Sequence, residues 1–370
     1  MKKAIKVVTI VILSIVALVG MYLAYISIQF YRIDDEQDLT AQIENNSDGS
    51  LTVNNTYSIA THNIGFGAYT KEFSFFMDSG VMKTGEEVAG TNSTAKDKTT
   101  VLENTNGAIE IASFLDPDFY FFQEVDIKAT RSHRVNQFAL LQESLDGYAS
   151  VIALNFHSAF LFYPFHDPHG ATKAGIATFS KYQLLEATRY KLPIDESFPN
   201  KFFDLDRCIM LHRIEVENGK ELVLINVHLS AYDEGGLIRA QQLETLSLLL
   251  ESEYQKGNYI IVGGDFNHDI AASLNSFPTE QEVPEWVYVL EESQLPEGFT
   301  FATSNAHPTC RSTDIPYEEG VNYTVVIDGF IMSDNILNVK VENIVSILSQ
   351  DVSFKYSDHN AVYFEFQLIG

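Results

Sequence analysis

The stretch that decides the fold is YIIVGGDFNHD, residues 259–269. It begins as a short apolar run rich in β-branched residues, passes through two glycines, and ends in carboxylate, amide and imidazole groups. Such a run, bounded by glycine, predicts a buried strand. Asp265 and Asn267 are two residues apart, so in an extended chain their side chains would face the same side. We therefore expect this strand to deliver polar groups to a cleft at its end.

Two other structures compete for the same stretch, a helix-capping turn and a calcium loop. In a turn, Asp265 and Asn267 would cap a following helix, and that alternative stays open here. The pattern Asp-x-Asn-x-Asp also resembles the start of an EF-hand loop, which needs Gly at about its sixth position and Glu at about its twelfth. Ile270 and Ser276 stand there instead, and the preceding residues predict a strand. This excludes the calcium loop.

Further strand-like runs place polar residues at or beside their ends. They are ATHNIG with His62 and Asn63, FFQEVD with Glu124, LINVHLS with Asn226 and His228, VVIDGF with Asp328, and YSDHNAVYFEF with Asp358 and His359. A lone histidine on a strand is more often a satisfied core residue, and an aspartate inside an apolar strand needs a partner. So many such runs in one chain favour a shared site over unrelated core residues.

The motifs HNIG, QEV, NVHL, GGDFN, IDGFIMS and SDHNAV, in this order, resemble the endonuclease/exonuclease/phosphatase superfamily. This superfamily includes pancreatic-deoxyribonuclease-like nucleases, neutral sphingomyelinases and inositol-phosphate phosphatases. The resemblance covers residues 57–370. It implies an α/β fold in which two mixed β-sheets pack face to face and are flanked by helices, a four-layer α/β sandwich with the site at one end. The alternation of strand-like and helical patterns, with helices expected around 106–115 and 233–258, also favours an α/β sandwich.

The resemblance implies a divalent metal site. Glu124 matches the glutamate that holds the essential metal, usually magnesium. Asn63 matches the asparagine beside it, and Asp358 matches a second carboxylate on the metal side. Oxygen ligands of this kind suit Mg²⁺ or Mn²⁺. We therefore expect Mg²⁺, or Mn²⁺ in its place, as the cofactor.

The resemblance also assigns the groups around the scissile phosphate. Asp265 and Asn267 match the pair that orients the nucleophile and contacts the phosphate. His359 matches the histidine at the phosphate, Asp328 the carboxylate that orients it, and His228 the second histidine of the two-histidine members. A histidine oriented by a carboxylate is a competent acid or base near neutral pH. The implied reaction is the hydrolysis of a phosphodiester or phosphomonoester.

Substrate contacts are predicted less directly. A small basic island, KATRSHR, follows Glu124 and could bind the substrate's phosphate or could be a solvated loop. The candidate substrate-binding residues are Arg131, Lys173, Arg207, Asn226 and Arg311. The residue after Asp328 is Gly329, where many family members have Tyr or His, which leaves the subgroup open.

Composition limits the classes of partner. The chain has 370 residues and a formal net charge of -26, which disfavours a general nucleic-acid-coating role, because an acidic surface repels polyanions. An enzyme that acts on one phosphate through a bound metal is not excluded. Two cysteines, Cys208 and Cys310, form no metal-binding pattern and are expected to be free thiols.

The N-terminus predicts a membrane anchor. Residues 7–30 carry no charge and are long enough to cross a bilayer as a helix. Three lysines precede this run and acidic residues follow it, so the positive-inside rule places residues 1–6 in the cytoplasm and the rest of a single-pass protein outside, at the cell membrane. A cleaved signal peptide is the alternative. Residues 31–56 are polar and acidic and predict a flexible tether, and residues 57–370 are expected to form one catalytic domain.

Residues 68–98 interrupt the strand and helix patterns with a cluster of aromatics, Tyr69, Phe73, Phe75 and Phe76. They form either a functional insertion or a mobile surface loop. The aromatic rings could touch the head-group region of a membrane, or they could pack against the sandwich. Two substrates compete for the predicted hydrolase. A lipid head group suits the anchor, while extracellular DNA or RNA suits the two-histidine pattern but is disfavoured by the acidic surface. An inactive surface binding module is the third alternative. The sequence does not specify an oligomeric state.

Overall fold

The structure is a computed structural model that describes residues 1–198, 200–231 and 236–370. Its α-helices are α1 (Lys2–Gln29), α2 (Lys98–Leu115), α3 (Gln137–Ser144) and α4 (Leu237–Gln255). Its strands, in chain order, are β1 (Glu36–Asp38), β2 (Thr56–Asn63), β3 (Ser79–Val81), β4 (Glu87–Ala89), β5 (Phe119–Asp126), β6 (Ala149–Leu161), β7 (Gly170–Ser180), β8 (Glu186–Lys191), β9 (Cys208–Glu215), β10 (Glu221–His228), β11 (Tyr259–Asp265), β12 (His268–Asp269), β13 (Tyr288–Val289), β14 (Phe299–Ala302), β15 (Cys310–Arg311), β16 (Thr324–Val325), β17 (Asp328–Ser333), β18 (Ile336–Asn343), β19 (Ser346–Ile347), β20 (Gln350–Asp351) and β21 (Val362–Leu368).

Two large sheets form the centre of the fold. One has the strand order β1-β8-β9-β10-β11-β17-β14 and the other the order β18-β21-β2-β5-β7-β6. Both are mixed, because β10 pairs with β11 and β2 pairs with β5 in parallel while their other neighbours are antiparallel. The predicted α/β class with two mixed sheets and outer helices is confirmed.

Three apolar layers hold the sandwich together. Phe121, Ile261 and Phe364 belong to the core between the sheets. Leu246 and Leu250 of α4 pack on the outer face of the seven-stranded sheet. The outer face of the six-stranded sheet is covered by α2 and α3. Strand β5 is therefore buried on both faces, which explains why FYFF reads as a continuous apolar run rather than an alternating one.

One predicted strand is interrupted in the structure. VVIDGF, residues 325–330, suggests a single strand, but β16 and β17 are separated by Val326 and Ile327. The backbone carbonyls of these two residues accept hydrogen bonds from Ile270 and Phe266, which lie just beyond β11. The chain therefore changes partners at this point, and β17 begins at Asp328.

Helix α1 has the composition of a membrane-spanning helix. It has a mean hydropathy of 2.7, and none of its most apolar window is buried within the protein. Length and composition are the basis of this assignment, and a signal sequence would have the same properties.

Residues 31–56 differ from the predicted flexible tether. Strand β1 extends the seven-stranded sheet by pairing with β8, Leu39 and Leu51 are buried in the core between the sheets, and Arg32 forms an ion pair with Asp206. The segment is polar overall, but its few apolar side chains pack in the core. The edge strand β8 forms backbone hydrogen bonds with β1.

Residues 68–98 are packed rather than mobile. Tyr69 and Phe73 are each only 5% exposed and join Phe66 and Val101 in a small apolar cluster. Strands β3 and β4 form a hairpin within this segment, and the backbone N–H of Phe75 donates to the carbonyl of Thr313. The expected contact of this aromatic cluster with a membrane is therefore wrong for its central rings.

Candidate active site

The polar residues predicted from separate strand ends meet at one end of the sandwich. In the seven-stranded sheet, His228 is paired with Asp265 across β10 and β11, and Asp265 is paired with Asp328 across β11 and β17. From the other sheet, the Asn63 amide Nδ2 donates to Asp265 Oδ2 at 3.0 Å. The two sheets are thus joined by a hydrogen bond between groups that the sequence places about 200 residues apart.

His359 and Asp328 form the best-defined pair in the site. His359 Nδ1 donates to Asp328 Oδ2 at 2.8 Å, and His359 Nε2 lies 3.7 Å from Asp265 Oδ2. The backbone N–H of Asp328 donates to Thr309 Oγ1, while the other carboxylate oxygen, Oδ1, is buried and accepts no hydrogen bond from the described residues. Asp328 therefore fixes the ring of His359 and leaves Nε2 facing the centre of the site.

The protonation of these groups follows from burial and neighbouring charge. Burial disfavours the charged imidazolium of His359, but Asp328 and the nearby Cys310, Asp265 and Asp358 outweigh it and hold the pKa of His359 well above its usual value. Burial raises the pKa of Asp265 to about 6, although His359 opposes the shift. The site thus contains a histidine that retains its proton and a carboxylate that titrates near neutral pH.

His228 has the opposite character. Its Nε2 lies 3.5 Å from Asp265 Oδ2, but burial, together with the charges of Arg207 and His359, lowers its pKa far below the usual value. Two histidines therefore face one carboxylate, one holding its proton and the other neutral. Environments that push two similar groups apart in this way are typical of acid–base sites.

Glu124 is turned into the site by a local break in β5. The register between β5 and β7 shifts between Phe122 and Val125, and Glu124 has a φ of 54°, in the left-handed region. A β-bulge of this kind re-aims one side chain. Burial raises the pKa of Glu124, Arg131 lowers it, and repulsion from Asp358 raises it again. Two carboxylates are therefore held close enough to repel each other.

This arrangement fits a divalent cation. The amide of Asn63 lies 3.5 Å from Glu124 Oε1, and Asp358 is held by a hydrogen bond from Ser357 Oγ. A cation between these carboxylates would relieve their repulsion, and an all-oxygen donor set suits magnesium. Asp265, Asp328 and His359 also have possible ligand atoms within 4.8 Å of one another, but His359 and Asp328 already bond to each other. We therefore expect the cation on the Glu124 side.

The turn after β11 corrects one local prediction. Asn267 does not continue the strand, because its φ is 51° and its backbone N–H donates to Asp265 Oδ1 at 2.9 Å. Its amide Nδ2 donates to the carbonyl of Leu229. The two side chains are therefore brought together by a tight turn rather than by a shared strand face. Asp269, not Asp265, caps the following turn, by accepting from the N–H of Ser273.

Gly264 explains the double glycine before this turn. Its φ is 143°, and an added Cβ would lie 2.0 Å from the carbonyl oxygen of Val227 on β10. Only glycine allows the two parallel strands to approach this closely at the end where Asp265 projects.

The three predicted substrate-binding arginines lie beside the site, and all of them are buried. Arg131 is held by Asp126 through contacts of 2.9 and 3.2 Å, so the basic island is largely engaged within the protein. Arg207 donates to the carbonyl of His228, and Arg311 donates to the carbonyl of Thr70. The Nε atoms of Arg207 and Arg311 are buried and make no hydrogen bond with the described residues.

Two of the predicted substrate contacts, Asn226 and Lys173, make no side-chain hydrogen bond to a site residue within the described parts of the chain. Asn226 is fully buried below the site, where its amide accepts from Gln123 and donates to the carbonyl of Ala177. Lys173 is exposed on β7, opposite His157 of β6. Asn226 therefore stabilises the contact between the sheets. Asn226 and His228 are two residues apart on β10, so the sequence predicted that they share a face of the strand. The sequence did not show that Asn226 is buried below the site.

Sequence reasoning assigned no role to two supporting residues. His62 Nε2 lies 3.2 Å from the carbonyl oxygen of His359, and burial lowers the pKa of His62 to about 4. Ser357 Oγ donates to the carbonyl of Asn63. Both residues hold the His359 segment against β2, and their positions inside the HNIG and SDHNAV motifs were the available signal.

Comparison with known proteins is consistent with this geometry. The sequence profile described as "Endonuclease/Exonuclease/phosphatase family" matches residues 60–315. A curated relative from Schizosaccharomyces pombe, inositol phosphosphingolipids phospholipase C, is 27% identical over 181 residues. That match covers 43% of this chain and 43% of the relative, so the chain spans less than half the length of the curated relative that it matches.

Solved structures share the fold. An endonuclease/exonuclease/phosphatase from Beutenbergia cavernae superposes with a TM-score of 0.55 at 17% identity, over 85% of this chain and 72% of that one. The catalytic domain of human Nocturnin, solved with a bound sulfate anion, has a TM-score of 0.51 at 14% identity, over 90% of this chain and 99% of that one. At these identities the likeness concerns the fold alone.

Proposed function

Because the chain belongs to the endonuclease/exonuclease/phosphatase family, whose members hydrolyse phosphoester bonds, we propose that it is a magnesium-dependent phosphodiesterase that acts on the head group of a membrane lipid. In this proposal α1 anchors the protein in the cell membrane with the catalytic domain outside the cytoplasm. The family membership supports the hydrolase activity, and the geometry of the site supports the roles proposed below for its residues.

The observation that carries the proposal is the Asp328–His359 pair with Asp265 in front of it. The 2.8 Å contact between His359 Nδ1 and Asp328 Oδ2 fixes the ring, and Nε2 is the nitrogen left to exchange a proton with a reacting oxygen. The high pKa of His359 depends partly on Asp358, so neutralising that carboxylate favours loss of the His359 proton. His359 can then accept a proton from the attacking water.

The remaining groups have complementary roles. Asp265, held by Asn63, lies between the two histidines and orients the water. Neutral His228 donates a hydrogen bond to the phosphoryl or leaving-group oxygen on the opposite side. Glu124 and Asp358 would hold Mg²⁺, which stabilises negative charge on phosphoryl oxygens when bound. Asn63 turns its amide Nδ2 toward Glu124 and Asp265, while its Oδ1 accepts from the N–H of Gly65, so it would position these carboxylates rather than bind the metal itself. Arg207 lies behind His228 and supplies positive potential to the same region.

The lipid substrate is supported by two observations. The S. pombe relative carries the name of a phospholipase C for inositol phosphosphingolipids. The apolar helix α1 would keep the site at a bilayer, where lipid phosphodiesters are concentrated. The net charge of -26 disfavours a polyanionic nucleic acid and also opposes close approach to strongly anionic lipid. A zwitterionic phosphosphingolipid fits these constraints best.

The test uses the full chain reconstituted in phosphatidylcholine vesicles. We expect magnesium-dependent release of the head group from sphingomyelin, loss of activity in excess chelator, and recovery with Mg²⁺ or Mn²⁺. Plasmid DNA, RNA and a phosphomonoester serve as the competing substrates.

The orientation in the membrane is tested separately. Protease added outside intact cells should cleave the catalytic domain but leave residues 1–6 protected.

His359→Ala and His307→Ala form a matched pair of variants. His359 lies in the site, whereas His307 is exposed and outside it. Only His359→Ala should lower head-group release, by about 10²- to 10⁴-fold. Faster turnover of DNA than of any lipid would favour the nuclease, and the absence of turnover of every phosphoester, with binding retained, would favour the inactive binding module.

A further inference from the structure

A second group of aromatic side chains, outside the insertion at 68–98, is exposed to solvent. It comprises two segments, FLFYPF at 160–165, and Phe198 and Phe203 together with the buried Phe202 between them. We call these two segments the aromatic rim. Phe165 is 86% exposed and Phe198 is 68% exposed, and Phe162 and Tyr163 are more than half exposed. Large aromatics clustered at such exposure mark an interaction surface.

Both segments of the rim adjoin strand ends on the side of the sandwich that carries the active site. Residues 160–165 lie at the connection between β6 and β7, where the N–H of Ala171 donates to Thr130 Oγ1, next to Arg131. The second segment precedes β9 in the other sheet, where Arg207 donates to the carbonyl of His228. The rim is therefore built by both sheets at the end of the sandwich that carries the site.

The rim is in contact with the last turns of α1. Tyr22 Oη donates to the carbonyl of Phe160, and the Tyr22 ring lies 5.3 Å from the ring of Phe162. Tyr25 Oη accepts from the N–H of Phe160. The second segment is held in the same way, because the ring of Phe30 lies 5.1 Å from that of Phe202.

Helix geometry gives the depth of this contact. Lys6 is the last charged residue before the apolar run. At about 1.5 Å per residue, a hydrocarbon layer of about 30 Å is crossed in about 20 residues. An upright α1 therefore leaves that layer near Ile26. Tyr22 and Tyr25 precede this position, so the rim residues that they contact lie at the boundary between acyl chains and head groups.

We propose that the aromatic rim docks into the interface of a phospholipid bilayer, so that the mouth of the active site faces the head groups. Tyr and Phe rings are favoured at this boundary, where they bury apolar area without crossing the membrane. Lys201 lies over the rings of Phe30 and Phe202 and can extend its ammonium group toward lipid phosphates. The consequence for the substrate, a lipid hydrolysed while still in the membrane, rests on the proposed function.

Docking itself is tested by the position of one ring. Phe165→Trp in a Trp286→Phe background places a single tryptophan on the rim, and Phe114→Trp in the same background places one at the end of α2, next to the start of β5 and away from the site. The full chains are reconstituted in phosphatidylcholine vesicles brominated along the acyl chain. We expect strong quenching at residue 165 by bromines near the head groups and none at residue 114. Equal or absent quenching at both positions would overturn the proposal.

The catalytic consequence is tested with a double variant. Phe165→Ser with Phe198→Ser removes two exposed rings, and Phe114→Ser with Leu248→Ser is the control, since those side chains are exposed elsewhere. We expect the rim variant to lose about 10-fold in sphingomyelin turnover in vesicles, because it loses interfacial apolar area, with unchanged hydrolysis of soluble bis-p-nitrophenyl phosphate. The control should lose neither.

The possible outcomes separate the two proposals. Unchanged lipid turnover in the rim variant, or an equal loss with the soluble probe, contradicts docking as the route to the substrate. Quenching at residue 165 in a protein that hydrolyses the soluble probe but no lipid leaves the docking intact and removes the lipid substrate of the proposed function.

Discussion

Two clusters of charged side chains within the fold have opposite characters. One lies at the outer face of the seven-stranded sheet, where Arg213 bonds Glu186, Glu221 and Glu253 at 2.7 to 2.9 Å through its three guanidinium nitrogens. Glu253 also accepts from Lys256 and Asn258. The other cluster is the candidate site, where buried atoms of Asp328, His228, Arg207 and Arg311 find no partner among the described residues.

This difference separates a structural network from a functional one. Buried polar groups that satisfy one another stabilise the folded state, whereas groups left unpaired cost free energy. The Arg213 network should therefore matter to stability and not to chemistry. The site should matter to chemistry and should tolerate, or even gain from, the loss of a charge.

The largest expected effect is on the rate, at the Asp328–His359 pair. His359→Ala and Asp328→Ala should each lower kcat by about 10²- to 10⁴-fold, because each removes the oriented proton acceptor. The double variant should lose little more, since the two residues act as one unit. Steady-state kinetics on sphingomyelin vesicles measure this, with His307→Ala as the control. Losses that multiply strictly would show that the two residues act separately.

The next effect is expected from substitution of Glu124, which should lower the activity but raise the free energy of unfolding. Glu124→Gln should lower magnesium-dependent activity by at least about 10²-fold, because metal ligands matter no less than the groups that orient them. In chelator, the same variant should unfold with a free energy about 0.5–2 kcal/mol higher than the parent, because the cost of burying the charge and the repulsion from Asp358 are removed, and together they outweigh the lost attraction to Arg131.

Chemical denaturation and isothermal titration with Mg²⁺ are the measurements for Glu124→Gln. Glu103→Gln, on helix α2, is the matched control and should change neither quantity. Undiminished magnesium affinity in Glu124→Gln would remove Glu124 from the metal site.

A smaller effect is expected at Glu253, on stability alone. Glu253→Gln weakens the charge-assisted hydrogen bonds to Arg213 and Lys256 and should cost about 1–3 kcal/mol in the free energy of unfolding. Urea denaturation monitored by circular dichroism gives this value, and kcat per folded molecule should be unchanged. Glu251→Gln, on the exposed face of the same helix, should be neutral. A large loss of kcat in Glu253→Gln would break the distinction between the two clusters.

The pH dependence of stability sharpens the same distinction. Hydrogen bonds from Arg213 and Lys256 overcome the effect of burial and lower the pKa of Glu253 from 4.5 to about 2. A group with a lowered folded-state pKa stabilises the protein above its unfolded-state pKa, and this contribution is lost as the pH falls from about 4.5 toward 2. Glu253→Gln should therefore flatten the fall in unfolding free energy over that window. An identical pH profile in parent and variant would contradict the role of Glu253.

The aromatic segments show where prediction from sequence stops. Residues 69–76 and 160–165 are both rich in rings, and the sequence favoured the first as the membrane contact. In the structure Tyr69 and Phe73 pack against α2 and neighbouring residues, while Phe165 is 86% exposed. A high content of rings is common to both segments, and only the presence of a packing partner decides whether a ring is core or surface.

Residues 31–56 and the turn after β11 follow the same rule. A polar segment predicts a tether, but an open edge on β8 gave it a place in the sheet. Asn267 was predicted to face the same way as Asp265 along a strand, but the strand ends at Asp265, two residues earlier, where the backbone N–H of Asn267 donates to the Asp265 carboxylate. The first difference arises from a long-range strand pairing, and the second from a local hydrogen bond that competes with the pattern of the side chains.

The sequence by itself determined the two-sheet α/β class, the order of the motifs and the chemical types of the site residues, because strand periodicity and residue chemistry are local properties. Only the tertiary structure decided which of those residues meet. His228, Asp265 and Asp328 come together through the register of β10, β11 and β17, and Asn63 reaches them from the other sheet. The tertiary structure also decided that Asn226 lies below the site and that the aromatic rim is exposed. Burial depends on what packs against a side chain from distant parts of the chain.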